Sequence, residues 1–255
     1  MTKTATCRER DAGLLHEEVL YEHARRSDDP RVRGERRRAT SEAMAKFNRR
    51  ESWRKFSLRL AANFSPGDIV GCVTYRDECL PRSRAEANER FRYFREKLAK
   101  EWRRRGRDPT GLVVAWSTEH KHGEARWHHH FVCTALGDDY KMLRRAWIYG
   151  EVSEFSPLRV DADRNFDTIA YYFAKEAREK LGLRSWSFSR PSRAPVETVS
   201  RVEPDSLGPA PPGVLLLEES RIETGFGVYV YRKWLRPCEK KPQRPPPGNA
   251  PGNFA

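Results

Sequence analysis

No apolar run in this chain approaches the roughly 18 residues that a membrane-spanning helix needs. The opening MTKTATCRERD also lacks the apolar core of a secretory signal. The five cysteines, Cys7, Cys72, Cys79, Cys133 and Cys238, form no CxxC pair, which argues against a zinc ribbon. An odd count without a secretory signal points instead to the reducing cytoplasm, with Cys72 and Cys133 as small hydrophobes inside apolar strands. No phosphate loop of the form glycine, four residues, glycine, lysine, serine or threonine occurs, so no helicase motor of the chain's own is expected. Acidic residues are in deficit. Lys and Arg outnumber Asp and Glu by 49 to 36, a formal charge of +13, and a surplus of that size points to a polyanionic partner.

The chain divides by composition into four parts. Residues 1–39 are charged and irregular and read as a loose basic arm; residues 40–195 read as the main domain. Residues 196–236 form an extension that loosens into proline and polar residues up to Pro212, then offers a strand pair in VLLLEES and GVYVYRKWL; residues 237–255 are a proline-rich disordered tail.

Within the main domain the spacing predicts a helix over 40–63 and a strand over 68–75. Ser83 and Glu86 form a capping box before a helix that carries Phe91, Phe94, Leu98 and Trp102 on one stripe. GLVVAWSTE and RWHHHFVCTAL read as a strand pair, followed by a short helix over 139–147 and a strand around PLRVDA. A last helix is expected over 165–181.

Five of the seven histidines fall between His120 and His130. A two-residue type II′ turn at Gly123-Glu124 sets a register in which opposed residue numbers sum to 247. Glu119 then faces His128 and Ser117 faces His130, so Glu119, His128 and His130 share one face of the hairpin while His129 points to the other. One carboxylate and two imidazoles suit a divalent cation, Mn²⁺ or Mg²⁺, with positions left open for water or substrate. His120 and His122 read as solvated turn residues. Beside a basic surface, such a cation suits phosphodiester chemistry.

The helix IAYYFAKEAREK supplies the other chemistry. Phe166, Ile169, Phe173, Ala177 and Leu181 make its buried stripe, Tyr172 lies well off that stripe, and Lys175 follows one turn on. A phenol flanked by a cation is a candidate nucleophile. Tyr171, four residues before Lys175, is the alternative.

The order of an apolar strand VTYRDE, a strand with Glu119, the His-x-His strand RWHHHFV and the helix with Tyr172-Phe-Ala-Lys175 resembles the HUH endonucleases. In particular it looks like the rolling-circle replication-associated proteins of phages and plasmids. NFSPGDIVGCVTYRDECLP and KEAREKLGLRSWSFSRP extend the resemblance over about residues 30 to 195. That family implies an α+β fold with a central antiparallel sheet and helices on one side, as in split βαβ domains. It also implies metal ligation by Glu119, His128 and His130, attack by Tyr172 and help at the phosphate from Lys175. Arg126 and Arg190 match its DNA-contacting positions. The implied activity is nicking and rejoining of single-stranded origin DNA through a 5′-phosphotyrosine, with Mg²⁺ or Mn²⁺. A host helicase and polymerase would be partners, in the cytoplasm of a bacterial or phage-infected cell, with no membrane involvement. The residue between the ligand histidines is usually apolar in the family, whereas here it is His129. Two other readings use the same residues or charge: a passive single-stranded nucleic-acid-binding module, and an HUH relaxase or transposase.

Overall fold

The computed structural model describes residues 4–22, 41–120, 126–134, 139–159, 165–174, 186–203, 206, 208–224 and 227–236. The five-stranded sheet at its centre is antiparallel throughout, in the order β6 (Val152–Pro157), β3 (Ile69–Thr74), β5 (Trp127–Cys133), β4 (Val114–His120), β7 (Ser187–Phe188). β5 lies between β3 and β4 and runs antiparallel to both, so β3, helix α2 (Arg84–Arg104) and β4 make a βαβ unit split by β5. The chain is therefore α+β, with the β4–β5 register summing to 247.

Helices cover both faces of this sheet, not one. On the first face α2 lays Phe91, Phe94 and Leu98, and α3 (Tyr140–Ala146) lays Met142 and Leu143, against Val73, Val114 and Phe131. On the second, Phe56 and Leu60 of α1 (Ser41–Asn63) and Ala170 and Phe173 of α4 (Asp167–Ala174) meet Ala115 and Val132. The cause is legible in β5, where Phe131, Val132 and Cys133 are apolar in succession and all buried. Successive residues of a strand point to opposite faces, so such a run needs cover on both. Gly71, opposite Phe131, has no Cβ where the Phe131 and Phe155 rings approach; an added Cβ would lie 2.5 and 2.7 Å from them.

The helix-forming signals act locally. Ser83 caps α2 by accepting the Glu86 N–H at 3.2 Å, while the Glu86 carboxylate reaches past it to the Arg82 N–H at 2.8 Å. The strand expected at PLRVDA lies earlier, as β6, which ends at Pro157 and leaves Leu158 in the core. Of the helix expected over 165–181, the described part is α4.

The expected basic arm is different over residues 5–22. β1 (Ala5–Asp11) and β2 (Leu15–Glu22) form a hairpin inside a second antiparallel sheet, in the order β8 (Val196–Val202), β1, β2, β10 (Gly227–Leu235), β9 (Leu215–Thr224). β8 likewise replaces part of the loosened region expected after residue 195. Charge pairing explains why this hairpin does not look like a strand pair. Arg10 lies directly across from Glu17 on one side and Glu197 on the other, and reaches them at 3.3 and 3.0 Å. The expected pairing of VLLLEES with GVYVYRKWL is the β9–β10 ladder. α1 and α4 join the two sheets, because Leu15 and Leu235 share a core with Phe56, Ala170 and Val132. Among the described residues no helix is long and apolar enough to cross a membrane.

Candidate metal centre

The three residues singled out on the hairpin meet on the α1–α4 face of the central sheet. His128 Nε2 lies 3.2 Å and His130 Nε2 3.4 Å from the same Glu119 oxygen, Oε2. One donor atom from each residue falls within 4.8 Å of the other two. The side chains are 8, 16 and 12 % exposed for Glu119, His128 and His130, so the cluster is largely out of bulk water but reachable. A donor set of one carboxylate and two imidazoles fits a divalent cation and leaves coordination positions for water or a substrate oxygen.

The electrostatics favour positive charge at this point. Burial pushes the Glu119 carboxyl upward, but hydrogen bonds from His128 and His130 outweigh it and hold the group at about 2. Burial likewise lowers His130, yet its hydrogen bonds to Cys72 and Glu119 raise it to about 9. A fixed carboxylate thus faces an imidazole that holds a proton tightly, and a cation can take that proton's place.

Tyr172 borders the cluster. Its phenol oxygen lies 3.4 Å from His130 Nε2, and the two rings meet edge to face at 4.8 Å. The side chain is half exposed, while the neighbouring Phe173 is fully buried, so α4 anchors itself through Phe173 and leaves the phenol at the rim. Tyr171 faces elsewhere, with its ring edge-on to Trp53 of α1 at 6.1 Å. Lys175 and His122 lie outside the described residues. His120 is exposed at the end of β4 and stacks on Trp127 at 4.3 Å. Arg126 is exposed and ion-paired with Asp77 at 2.6 Å, and Arg190 is exposed just after β7.

His129 belongs to the opposite core. It is fully buried, stacked on Phe91 at 4.6 Å, with Nε2 2.7 Å from the Tyr75 hydroxyl and Nδ1 3.0 Å from Thr118 Oγ1. Both hydroxyls are bonded onward, Thr118 donating to Asn88 Oδ1 and Tyr75 to the Ala87 carbonyl at 3.2 Å, so the imidazole is held at each nitrogen inside a buried polar chain. Burial, followed by the nearby charges of His128, His130 and Arg84, holds this imidazole well below its ordinary value. It serves as a core imidazole with a hydroxyl facing each nitrogen.

One neighbour of the cluster escapes a reading of the sequence, and another, Ser117, is read there as facing His130. Cys72, read there as a small hydrophobe, stands opposite His130 in the β3–β5 register and is hydrogen-bonded to its ring. Ser117 Oγ donates to Glu119 Oε1 at 3.5 Å. Strand alternation supplies the missing signal, since Cys72 and Ser117 are the residues directly across from His130 on its two sides. No protein-family model matches the chain, and no curated protein or solved structure matches it either.

Proposed function

We propose that this protein is a metal-dependent endonuclease that nicks and rejoins single-stranded DNA at a replication origin, using Tyr172 as nucleophile. The observation that carries the reading is the convergence of Glu119, His128, His130 and the Tyr172 phenol within contact distance at one rim of the sheet. The resemblance to rolling-circle replication-associated proteins supplies the substrate class, and the surplus of cationic residues supports a polyanionic partner.

Glu119, His128 and His130 would hold a Mg²⁺ or Mn²⁺ ion, which when bound would supply Lewis-acid polarisation of a phosphoryl oxygen. The chain's own part is nucleophilic and positional. The Tyr172 oxygen bonds to phosphorus, and its proton passes to solvent. The bond from phosphorus to the 3′-oxygen breaks, and that oxygen takes up a proton to leave a 3′-hydroxyl. The 5′-phosphate stays on Tyr172. Attack by the 3′-hydroxyl reverses the exchange. One phosphodiester replaces another in each direction, so rejoining requires no nucleotide cofactor. Lys175, one turn beyond Tyr172 in sequence, would assist at the phosphate, and the exposed Arg126 and Arg190 would contact the strand. Strand separation and synthesis fall to host helicase and polymerase.

The test is incubation of pooled single-stranded DNA with the protein and Mn²⁺. The expected result is cleavage that stops with a chelator and leaves 3′-ends a polymerase can extend. Binding without cleavage under any divalent metal would favour the passive binding module instead.

A further inference from the structure

We propose that Lys233, on the second sheet, is a positioning residue for the Tyr172 helix; this rests on Tyr172 being the nucleophile. The described part of α4 is Asp167–Ala174, and the direction of its first turn depends on what holds that turn in place. The first residue, Asp167, is held from four sides. Lys233 Nζ meets Asp167 Oδ2 at 2.5 Å, and Ser57 Oγ donates to Oδ1 at 2.5 Å. The Asp167 N–H donates to Asn165 Oδ1 at 2.7 Å, and its carbonyl accepts the Trp53 indole N–H at 3.0 Å.

The contribution of Lys233 differs in kind from the other three. Ser57 and Trp53 belong to α1 and Asn165 to the approach to α4, all within the main domain. Lys233 comes from β10 of the second sheet, and its side chain is 7 % exposed. Removing an ammonium from water is costly unless it is paired, so its partner is strongly selected. Glu17 and Glu218 lie opposite it in the ladders on either side, yet the ammonium reaches over to Asp167. The carboxylate it holds also sits in the first turn, where negative charge suits the helix dipole.

Tyr172 follows Asp167 by five residues, about 7.5 Å along the axis. A tilt or slide of the first turn therefore moves the phenol relative to His130. An error of about 1 Å in a reacting group can reduce a rate by on the order of a hundredfold. The second sheet thus acts as a strut that fixes where the nucleophile stands.

The experiment measures single-turnover formation of the covalent protein–DNA adduct in the full chain, together with Mn²⁺ affinity and single-stranded DNA affinity. For Lys233→Met we expect adduct formation to slow at least tenfold with both affinities unchanged. Lys233→Arg should recover part of the rate. Asp167→Asn should slow it similarly, and the double variant should be no slower than the worse single, since both remove one interaction. Hydrogen exchange at residues 168–172 should speed up in Lys233→Met. A Lys233→Met rate equal to the unaltered protein's would overturn the strut while leaving Tyr172 as nucleophile. So would a loss matched by an equal loss of Mn²⁺-binding protein, which marks unfolding. Absence of any adduct in the unaltered protein would instead remove the nucleophile, and the strut with it.

Discussion

The phenol oxygen of Tyr172 and the Glu119 carboxylate both approach His130 Nε2, each at 3.4 Å, from α4 and from β4. One nitrogen thus joins the candidate nucleophile to the candidate ligand set. Replacing a ligand should be felt first in metal binding. Glu119→Gln, His128→Ala and His130→Ala should each weaken Mn²⁺ binding by more than the 10–100-fold typical of losing an outer partner. Titration calorimetry or Mn²⁺ electron paramagnetic resonance reads this directly. Affinity within about twofold of the unaltered protein in His130→Ala would remove that assignment.

Metal binding should also expel a proton. His130, raised to about 9 by Cys72 and Glu119 against the opposing effect of burial, is protonated near pH 7.5 without metal, and a ligating imidazole must be neutral. About one proton should therefore be released per Mn²⁺ bound at pH 7.5, and affinity should rise with pH up to about 9. In the metal-free protein the sign is opposite. Stability from the raised His130 is full below 6.5 and is lost as pH climbs to about 9. Calorimetry in buffers of different ionisation enthalpy counts the proton.

The middle histidine should behave in the reverse way. His129 is buried neutral and depressed below 6.5, so the unfolded chain takes up its proton first as pH falls. Its contribution is full above 6.5 and declines below, by about 1.4 kcal/mol per pH unit. Metal-free His129→Gln should show a shallower fall in unfolding free energy between pH 6.5 and 5. Tyr75→Phe, which removes the hydroxyl at Nε2, should cost about 1–3 kcal/mol.

The N-terminal hairpin should be needed for folding. Glu17 on β2 is buried and takes hydrogen bonds from the Tyr231 hydroxyl at 2.9 Å and from Arg10 at 3.3 Å, with Arg54 at 3.7 Å. Deleting residues 1–22 leaves Tyr231 and Arg54 without this carboxylate and exposes the β10 edge. Such a deletion should unfold cooperatively at much lower temperature, read by circular dichroism. A deletion with unchanged melting would restore the loose-arm reading.

The site was more legible in the sequence than the fold around it. A single turn assignment placed Glu119 opposite His128, because antiparallel pairing leaves only one register per turn. Tyr172 was visible as a polar position beside a regular apolar stripe. The second sheet was not visible, since its first hairpin reads CRERD and HEEV, where charges that pair across strands look like a solvated tail. Nothing local to Lys233 or Asp167 links residues 66 positions apart. Helices on both faces follow from the unbroken FVC of β5, since a strand without alternation needs apolar cover on each side.

The most direct measurement is mass spectrometry of the protein after reaction with single-stranded DNA and Mn²⁺, mapping any nucleotide that survives denaturation and nuclease digestion. A 5′-phosphate ester on Tyr172, lost in Tyr172→Phe and retained in Tyr171→Phe, is the expected result. An ester on Tyr171, or no ester although the DNA is bound, would contradict it.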